Sequence, residues 1–439
     1  MVESPVLSLA RSIPAALDID RATPICDVEL ESVRSMPTGI SELDRVLGGG
    51  FVPGSVTLIG GEPGVGKSTL LTQVAASMAF AGLDVLYVSA EESRQQVRLR
   101  AGRLGALAPR LWLASETELG HVLAHVDRVQ PGLVVLDSIQ TVHDPALGSA
   151  PGSTVQVREC AHRLVREAKQ RDLAVVLVGH VTKEGGLAGP RALEHVVDTV
   201  LCFDGDRHHA LRLLRAEKHR FGSTADLGLF EMTETGLQPV PDASALFLAD
   251  RRPCVPGSAV VPTLDGHRPM LVELQALVAT TNLPLARRSA QGVDGGRLAF
   301  LLAVLERRAR LSLTGSDVFA LAVGGVRVVE PGADLALALA VASSLSDTPL
   351  PSDLVACAEI GLGGELRQAG QTARRLAEAA RLGFTCALLP HSAPDPPLGL
   401  RALRAATIAD ALRLAGLAPL VASSRDEPQT TTGRYSAAG

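Results

Sequence analysis

The stretch "VTLIGGEPGVGKSTLL" (56–71) constrains this chain more than any other. Within it, "GEPGVGKS" (61–68) fits G-x-x-x-x-G-K-[ST] at every fixed position. An apolar run that reads as a buried strand precedes it. A helical run follows, with Leu71, Ala75 and Met78 on one face and Gly82 at its end. Between strand and helix, glycines let successive backbone N–H groups converge on one point. The helix N-terminus adds its partial positive charge there. The expected cradle for ATP phosphates is Gly61, Glu62, Pro63, Gly64, Val65, Gly66, Lys67, Ser68 and Thr69. Lys67 is expected to reach the β- and γ-phosphates and Ser68 to hold Mg²⁺.

Such a loop needs a parallel sheet behind it. "DVLYVS" (84–89), "LVVLD" (133–137) and "AVVLVGH" (174–180) are continuous apolar runs with helical stretches between them, among them "VREAKQR" (165–171). That alternation predicts a mainly parallel sheet with helices on both faces. Beyond residue 195 the runs shorten ("VVDTVLCF", "ALRLLR", "LGLFEM"), which predicts antiparallel additions at one edge. Upstream, "TGISELDRVLGGGFVPGS" (38–55) reads as a helix capped by Ser41, with Asp44 in its first turn, stopped by Gly48–Gly50. The expected division is a lead-in over 1–36, an ATPase domain over 37–240, a Pro-rich linker over 241–258, a second α+β domain over 259–420 and a disordered tail over 421–439.

Three further motifs carry candidate chemistry. Asp137 ends an apolar strand, where it can hold Mg²⁺ through water. Glu91, in "YVSAEES" (87–93), is placed to orient or deprotonate the attacking water, with Glu92 as the fallback. "GHVTKEGGLAGPRALEHVVD" (179–198) leaves a strand at His180, which can sense the γ-phosphate, and carries Lys183 and Arg191 into a Gly-rich loop. A second loose loop follows Asp137 and ends near Arg158. The chain has 42 Lys+Arg but only four lysines: Lys67, Lys169, Lys183 and Lys218. Three of these fall inside phosphate- or nucleic-acid-facing motifs, a bias that supports chemistry at those positions.

Net charge is −5, so bulk electrostatics does not advertise nucleic-acid binding, and any such contact needs a locally basic lining. None of the six cysteines forms C-x-x-C, which argues against a structural zinc site. The N-terminus lacks the pattern of a signal peptide and no apolar run reaches transmembrane length, so the expectation is a cytoplasmic protein without membrane contact.

Taken together, these motifs resemble the RecA-like ATPase core, and more closely the RadA (Sms) family of bacterial DNA repair proteins, over roughly 27–420. The stretch "AEKHRFGS" (216–223) is similar to that family's Lys-Asn-Arg-Phe-Gly signature, with His219 in place of Asn. The C-terminal half, with "VELQALV", "VGGVRVVEPGADLALALA" and "EIGLGGELR", resembles the family's Lon-protease-like domain. The resemblance implies a homo-oligomeric, hexameric ring on single-stranded DNA that hydrolyses ATP and extends recombination intermediates with the RecA recombinase. It implies that Gly61–Ser68, Glu91 and Asp137 build the ATP site, and that 142–158 and 181–195 face the DNA channel. Arg158, Lys183 and Arg191 are the DNA-contacting candidates. Lys218 and Arg220 would reach a neighbouring subunit's nucleotide. The family's N-terminal four-cysteine zinc module has only Cys26 to match it.

Two other classes compete. A Lon-like domain invites a Ser–Lys protease, but no lysine follows Lys218. Gly332 and Ala373 stand where nucleophile and base would be, and Ser343 and Ser344 have no lysine partner. The expected role of this domain is assembly, with Arg287, Arg288, Arg307, Arg308 and Arg310 as a basic surface. The other competitor is a KaiC-like ATP-driven assembly protein, which single-stranded DNA should not stimulate.

Overall fold

The computed structural model describes residues 24–27, 34–179, 193–205, 211–282 and 285–417. Expectations for His180, Lys183 and Arg191, for most of the lead-in and for the tail lie outside them.

The first half is α/β. Its strands are β1 (Val56–Gly60), β2 (Val85–Ser89), β3 (Leu111–Ser115), β4 (Leu133–Asp137), β5 (Ala174–Val178), β6 (Thr199–Asp204), β7 (Leu211–His219), β8 (Leu227–Thr233) and β9 (Gly236–Pro239). They form one sheet in the order β3-β2-β4-β5-β1-β6-β7-β8-β9. The strands from β3 to β6 are parallel and the rest antiparallel. The strands β1, β2, β4 and β5 are buried along their whole length, because helices cover both faces. Alternate residues of β1 serve opposite cores. Val56 and Leu58 pack with α4 (Leu119–Val129) and α5 (Thr154–Arg171). Ile59 packs with α1 (Ser41–Val46) and α2 (Lys67–Phe80). The remaining helix of this half is α3 (Arg94–Arg103).

Three expectations change. The β6 strand pairs parallel with β1, so the antiparallel additions begin only at β7. The edge strand β3 lies in a stretch the sequence reading left unassigned. Ser41 is the first residue of α1, not its cap, and Ile40 holds that place; Asp44 lies in the first turn as expected and accepts the Thr38 N–H at 2.8 Å.

The second half is α+β. A short helix, α6 (Ala243–Leu248), sits inside the stretch read as linker, with Asp242 Oδ1 accepting from Ala245 N–H at 2.9 Å. Strands β10 (Ser258–Asp265), β11 (Arg268–Thr280), β12 (Arg288–Gln291), β13 (Ser316–Ala322), β14 (Leu354–Ala356), β17 (Cys386–Pro390) and β18 (Arg401–Ala405) make a mixed sheet, and β15 (Glu359–Ile360) pairs with β16 (Leu366–Arg367). The helices are α7 (Gly295–Arg308), α8 (Asp334–Leu345), α9 (Thr372–Arg381) and α10 (Ile408–Leu414). Residues 334–343 of α8 are all buried, as an all-round apolar helix must be. One apolar core runs from Leu227 and Leu229 of β8 through Phe247 into this sheet and α8. No described helix is long and apolar enough to cross a membrane.

Candidate active site

The loop that follows β1 is shaped by what surrounds it. A Cβ on Gly61 would lie 2.3 Å from the Phe203 carbonyl oxygen, and Gly66 has φ 117°. Neither position admits another residue without strain. The buried Arg212 of β7 donates from Nε to the Val65 carbonyl at 3.0 Å and braces the loop from the sheet. Gly66 offers α2 no side-chain cap, so the first N–H groups of that helix remain available to an anion.

Lys67 is buried at the start of α2. Its Nζ donates to the carbonyls of Gly61 at 2.7 Å and Glu62 at 3.0 Å. Burial lowers its pKa, and the charges of Asp137 and Glu91 act in the opposite sense. The neighbouring strand ends bring Asp137 and Glu91 to the end of the sheet from which the Lys67 loop leaves, so three of the expected residues share one cluster. Asp137 ends β4, and Tyr87 of β2 donates its hydroxyl to Asp137 Oδ2 at 2.7 Å. Burial first, then the charge of Asp137, pushes the Tyr87 phenol well above its usual range, so it stays a donor. Ser138 donates its hydroxyl to Glu91 Oε1, and Glu91 is an exposed residue. Glu92 is paired with Arg100, and its backbone is tied to Ser89. Of the two glutamates, Glu91 is the one turned to the loop. Ser68 and Thr69 occupy the next positions of α2, half-buried.

The Lys218–Arg220 element is not part of this cluster. Thr57 of β1 is level with Thr199 of β6, which is level with His219. Lys218 and Arg220 therefore stand at the end of the sheet where β1 begins, whereas the phosphate loop leaves its other end. Three residues of strand alone separate the two edges by about 10 Å. Lys218 Nζ donates to the carbonyls of Glu194 at 2.6 Å and Val197 at 2.7 Å. Arg220 is half-exposed and donates from Nη1 to Asp198 Oδ1 at 2.9 Å. His219 Nδ1 lies 3.0 Å from Thr199 Oγ1, and its buried Nε2 has no partner among the described residues.

Arg158 stands exposed on α5, 3.7 Å from Glu159. The loop before it, expected to be loose, is built around the buried Gln156 side chain. Its Nε2 faces the carbonyls of Asp144 (3.1 Å), Leu147 (3.3 Å) and Ser149 (2.9 Å), and its Oε1 accepts the Asp144 N–H at 2.9 Å. Tyr87, Arg212, Gln156 and Asp198 were all missed from sequence. Only Asp198 had a signal, as a carboxylate just before a strand.

In the second half, the position read as a vacant nucleophile is filled by structure. A Cβ on Gly332 would lie 3.4 Å from Arg375 Nη1, and Arg375 is paired in the interior with Glu330. Ser343 Oγ donates to the Thr348 carbonyl and accepts the Gly257 N–H, and Ser344 Oγ accepts the Val278 N–H. Of the arginines read as a basic surface, Arg287, Arg307 and Arg310 are exposed. Arg288 and Arg308 are exposed too, but each donates to backbone carbonyls, Ser316 and Leu313 for the first and Leu362 for the second.

A family model described as an AAA domain matches residues 24–186. The DNA repair protein RadA of Mycobacterium tuberculosis (strain H37Rv) is 48% identical over 394 residues, which are 89% of this chain and 82% of that protein. The DNA repair protein RadA of Bacillus subtilis (strain 168) is 46% identical over 399 residues, 90% of this chain and 87% of that protein. The chain belongs to the RadA family. As a RadA-family member with this site it is a P-loop enzyme that binds nucleotide and hydrolyses ATP. Among solved structures, a KaiC-like protein from Pyrococcus horikoshii OT3 is similar to 48% of this chain over its whole length, at 21% identity and a TM-score of 0.40.

Proposed function

We propose that this RadA-family chain is a DNA-dependent ATPase of recombinational repair, a ring-forming motor on single-stranded DNA that works with a RecA recombinase on recombination intermediates. The observation that carries the reading is the separation of two half-sites on one sheet. Asp137 at the end of β4, Glu91 bonded to the adjacent Ser138, and Lys67 on the loop after β1 all lie at the end of the sheet where β1 finishes. Arg220 stands exposed at the other end and cannot serve the same nucleotide. A half-site of each kind on every subunit completes itself only between neighbours, which is what a closed ring of identical chains supplies. A hexamer is the ring we propose.

In that ring Lys67 exchanges its two loop carbonyls for the β- and γ-phosphates, at little cost because it is already desolvated. The Ser68 hydroxyl and the Asp137 carboxylate are hard oxygen donors that suit Mg²⁺, which when bound neutralises charge between the phosphates. Glu91 orients the attacking water, and Arg220 of one subunit stabilises charge on the neighbour's transferring phosphoryl group. The stretches 142–158 and 181–195, with Arg158, Lys183 and Arg191, line the channel, so a chain of net charge −5 binds DNA through a local basic surface. The second domain assembles the ring and is not a protease: nothing beyond Lys218 can serve as a lysine base.

The test is ATP turnover with and without single-stranded DNA. Stimulation is expected, together with rings in electron micrographs. A rate indifferent to DNA would overturn the motor reading in favour of an assembly protein. Lys67→Ala should lower turnover at least about a hundredfold.

A further inference from the structure

The turn formed by residues 193–198 is bonded to the Lys218–Arg220 element at several points. Asp198 is buried, and its two carboxylate oxygens have different partners. Oδ2 accepts the Val56 N–H at 3.1 Å; Oδ1 accepts Arg220 Nη1 at 2.9 Å. The backbone runs in parallel with both: Arg220 N–H donates to the Asp198 carbonyl at 3.2 Å, and Asp198 N–H donates to the Val56 carbonyl at 3.0 Å. Lys218 turns inward to the Glu194 and Val197 carbonyls of the same turn. The two cations therefore differ. Lys218 has two of its three N–H donors committed within the subunit. Arg220 has one nitrogen committed, and its Nε and Nη2 take no partner among the described residues.

We infer that Asp198 is the positioning residue for Arg220, and that Arg220 alone is the group presented to the neighbouring subunit's phosphate while Lys218 anchors the turn. This rests on the reading of Arg220 as acting between subunits. A guanidinium is a rigid planar fork, so fixing one nitrogen sets the plane and aims the others. The Val56 bond alone would not require a carboxylate, because an asparagine oxygen accepts it equally well. The negative charge serves Arg220 through a charge-assisted bond and reaches Lys218 only through space. Asp198 also keeps that partner, since a buried carboxylate stripped of its cation is costly. Arg220 is thus held out to the neighbour rather than stored and released. Glu194 belongs to the stretch read as facing the channel, so one short turn joins that stretch, the start of β1 and the cation offered to the next subunit.

The experiment uses the full chain with ATP and single-stranded DNA. Asp198→Asn should keep the thermal midpoint and the KM for ATP while kcat falls about ten- to a hundredfold. In an Arg220→Ala background the same change should cost nothing more. Mixing Asp198→Asn with Lys67→Ala, which brings an intact Arg220 but a dead phosphate loop, should restore turnover. Should Asp198→Asn fail to fold, Arg220→Lys serves: it keeps a cation on Asp198 but loses the fork, and should be as slow as Arg220→Ala. A normal kcat for Asp198→Asn or Arg220→Lys, or an equal loss in the Arg220→Ala background, overturns the positioning role. If Arg220→Ala mixed with Lys67→Ala regains nothing, it is the action between subunits that fails.

Discussion

Glu91 and Glu92 are adjacent in sequence yet have different partners, and this divergence is the sharpest residue-scale statement the site makes. Glu92 is spent on Arg100 and on a backbone turn with Ser89; Glu91 accepts from Ser138, next to Asp137, and its charge acts on Lys67. Glu91→Gln should therefore lower kcat at least about a hundredfold with ATP binding retained. Glu92→Gln should leave kcat near wild type and cost about 1 kcal/mol of stability through the Arg100 pair, which is partly exposed. Single-turnover rates and equilibrium unfolding of the two variants separate these outcomes, and equal kcat losses would contradict the division. Tyr87 is the second such residue, through its bond to Asp137. Tyr87→Phe keeps the packing and leaves Asp137 without its buried donor, so kcat should fall several-fold and stability by about 1–2 kcal/mol. An unchanged kcat would mean that Asp137 is oriented by its strand alone.

Among the elements, the loop after Asp137 depends on one amide. Gln156→Leu removes the group that faces three carbonyls and should cost about 2–3 kcal/mol. If that loop lines the channel, DNA stimulation should fall more than the basal rate; a uniform fall would make Gln156 a purely structural residue. The helix α6 makes a pH prediction. Hydrogen bonds from Arg381 hold the Asp242 carboxyl below its usual range, so its contribution is present above about pH 4 and lost as pH falls through the lower folded value. The pair is partly exposed, so Asp242→Asn should cost about 1 kcal/mol at pH 7 and nothing near pH 2, measured by urea unfolding. These elements also show why legibility was uneven. The strands behind the phosphate loop are continuous apolar runs because both faces are covered, and that signature survives in sequence. The β3 strand is an edge strand with Trp112 half-exposed, so neither a continuous run nor a clean alternation marks it. The direction of β6 is set by the crossover that returns the chain to β1, which periodicity does not encode. Helix α6 is one and a half turns among prolines, too short for a period, and it exists because Phe247 and Ala243 reach the second core. Glycine spacing announced the phosphate loop, but Arg212, which braces it, and Tyr87, which holds Asp137, are long-range partners that no local pattern records.

On the scale of the whole molecule, the two halves are joined by a shared core and by buried charge. Arg268 of β11 pairs with Glu42 of α1, and both are almost wholly enclosed. Arg268 also donates to the carbonyls of Leu227 (3.1 Å), Val240 (2.9 Å) and Pro241 (2.8 Å), while Glu42 accepts the Leu229 N–H at 3.0 Å. Arg268→Met should destabilise by about 3 kcal/mol because buried Glu42 then keeps only the partly exposed Arg45 as a cation, and adding Glu42→Gln should recover part of that loss. With the core continuous from β8 into α8, the described molecule should also unfold in one cooperative step despite its two large sheets. Trp112, the single tryptophan, sits on the far edge strand of the first sheet and reports that half alone, whereas far-ultraviolet circular dichroism reports both. The two denaturation curves should coincide in the wild type. They should separate in Arg268→Met if the buried pair carries the coupling between halves; curves already separate in the wild type would show that the shared core does not bind the two sheets into one unit.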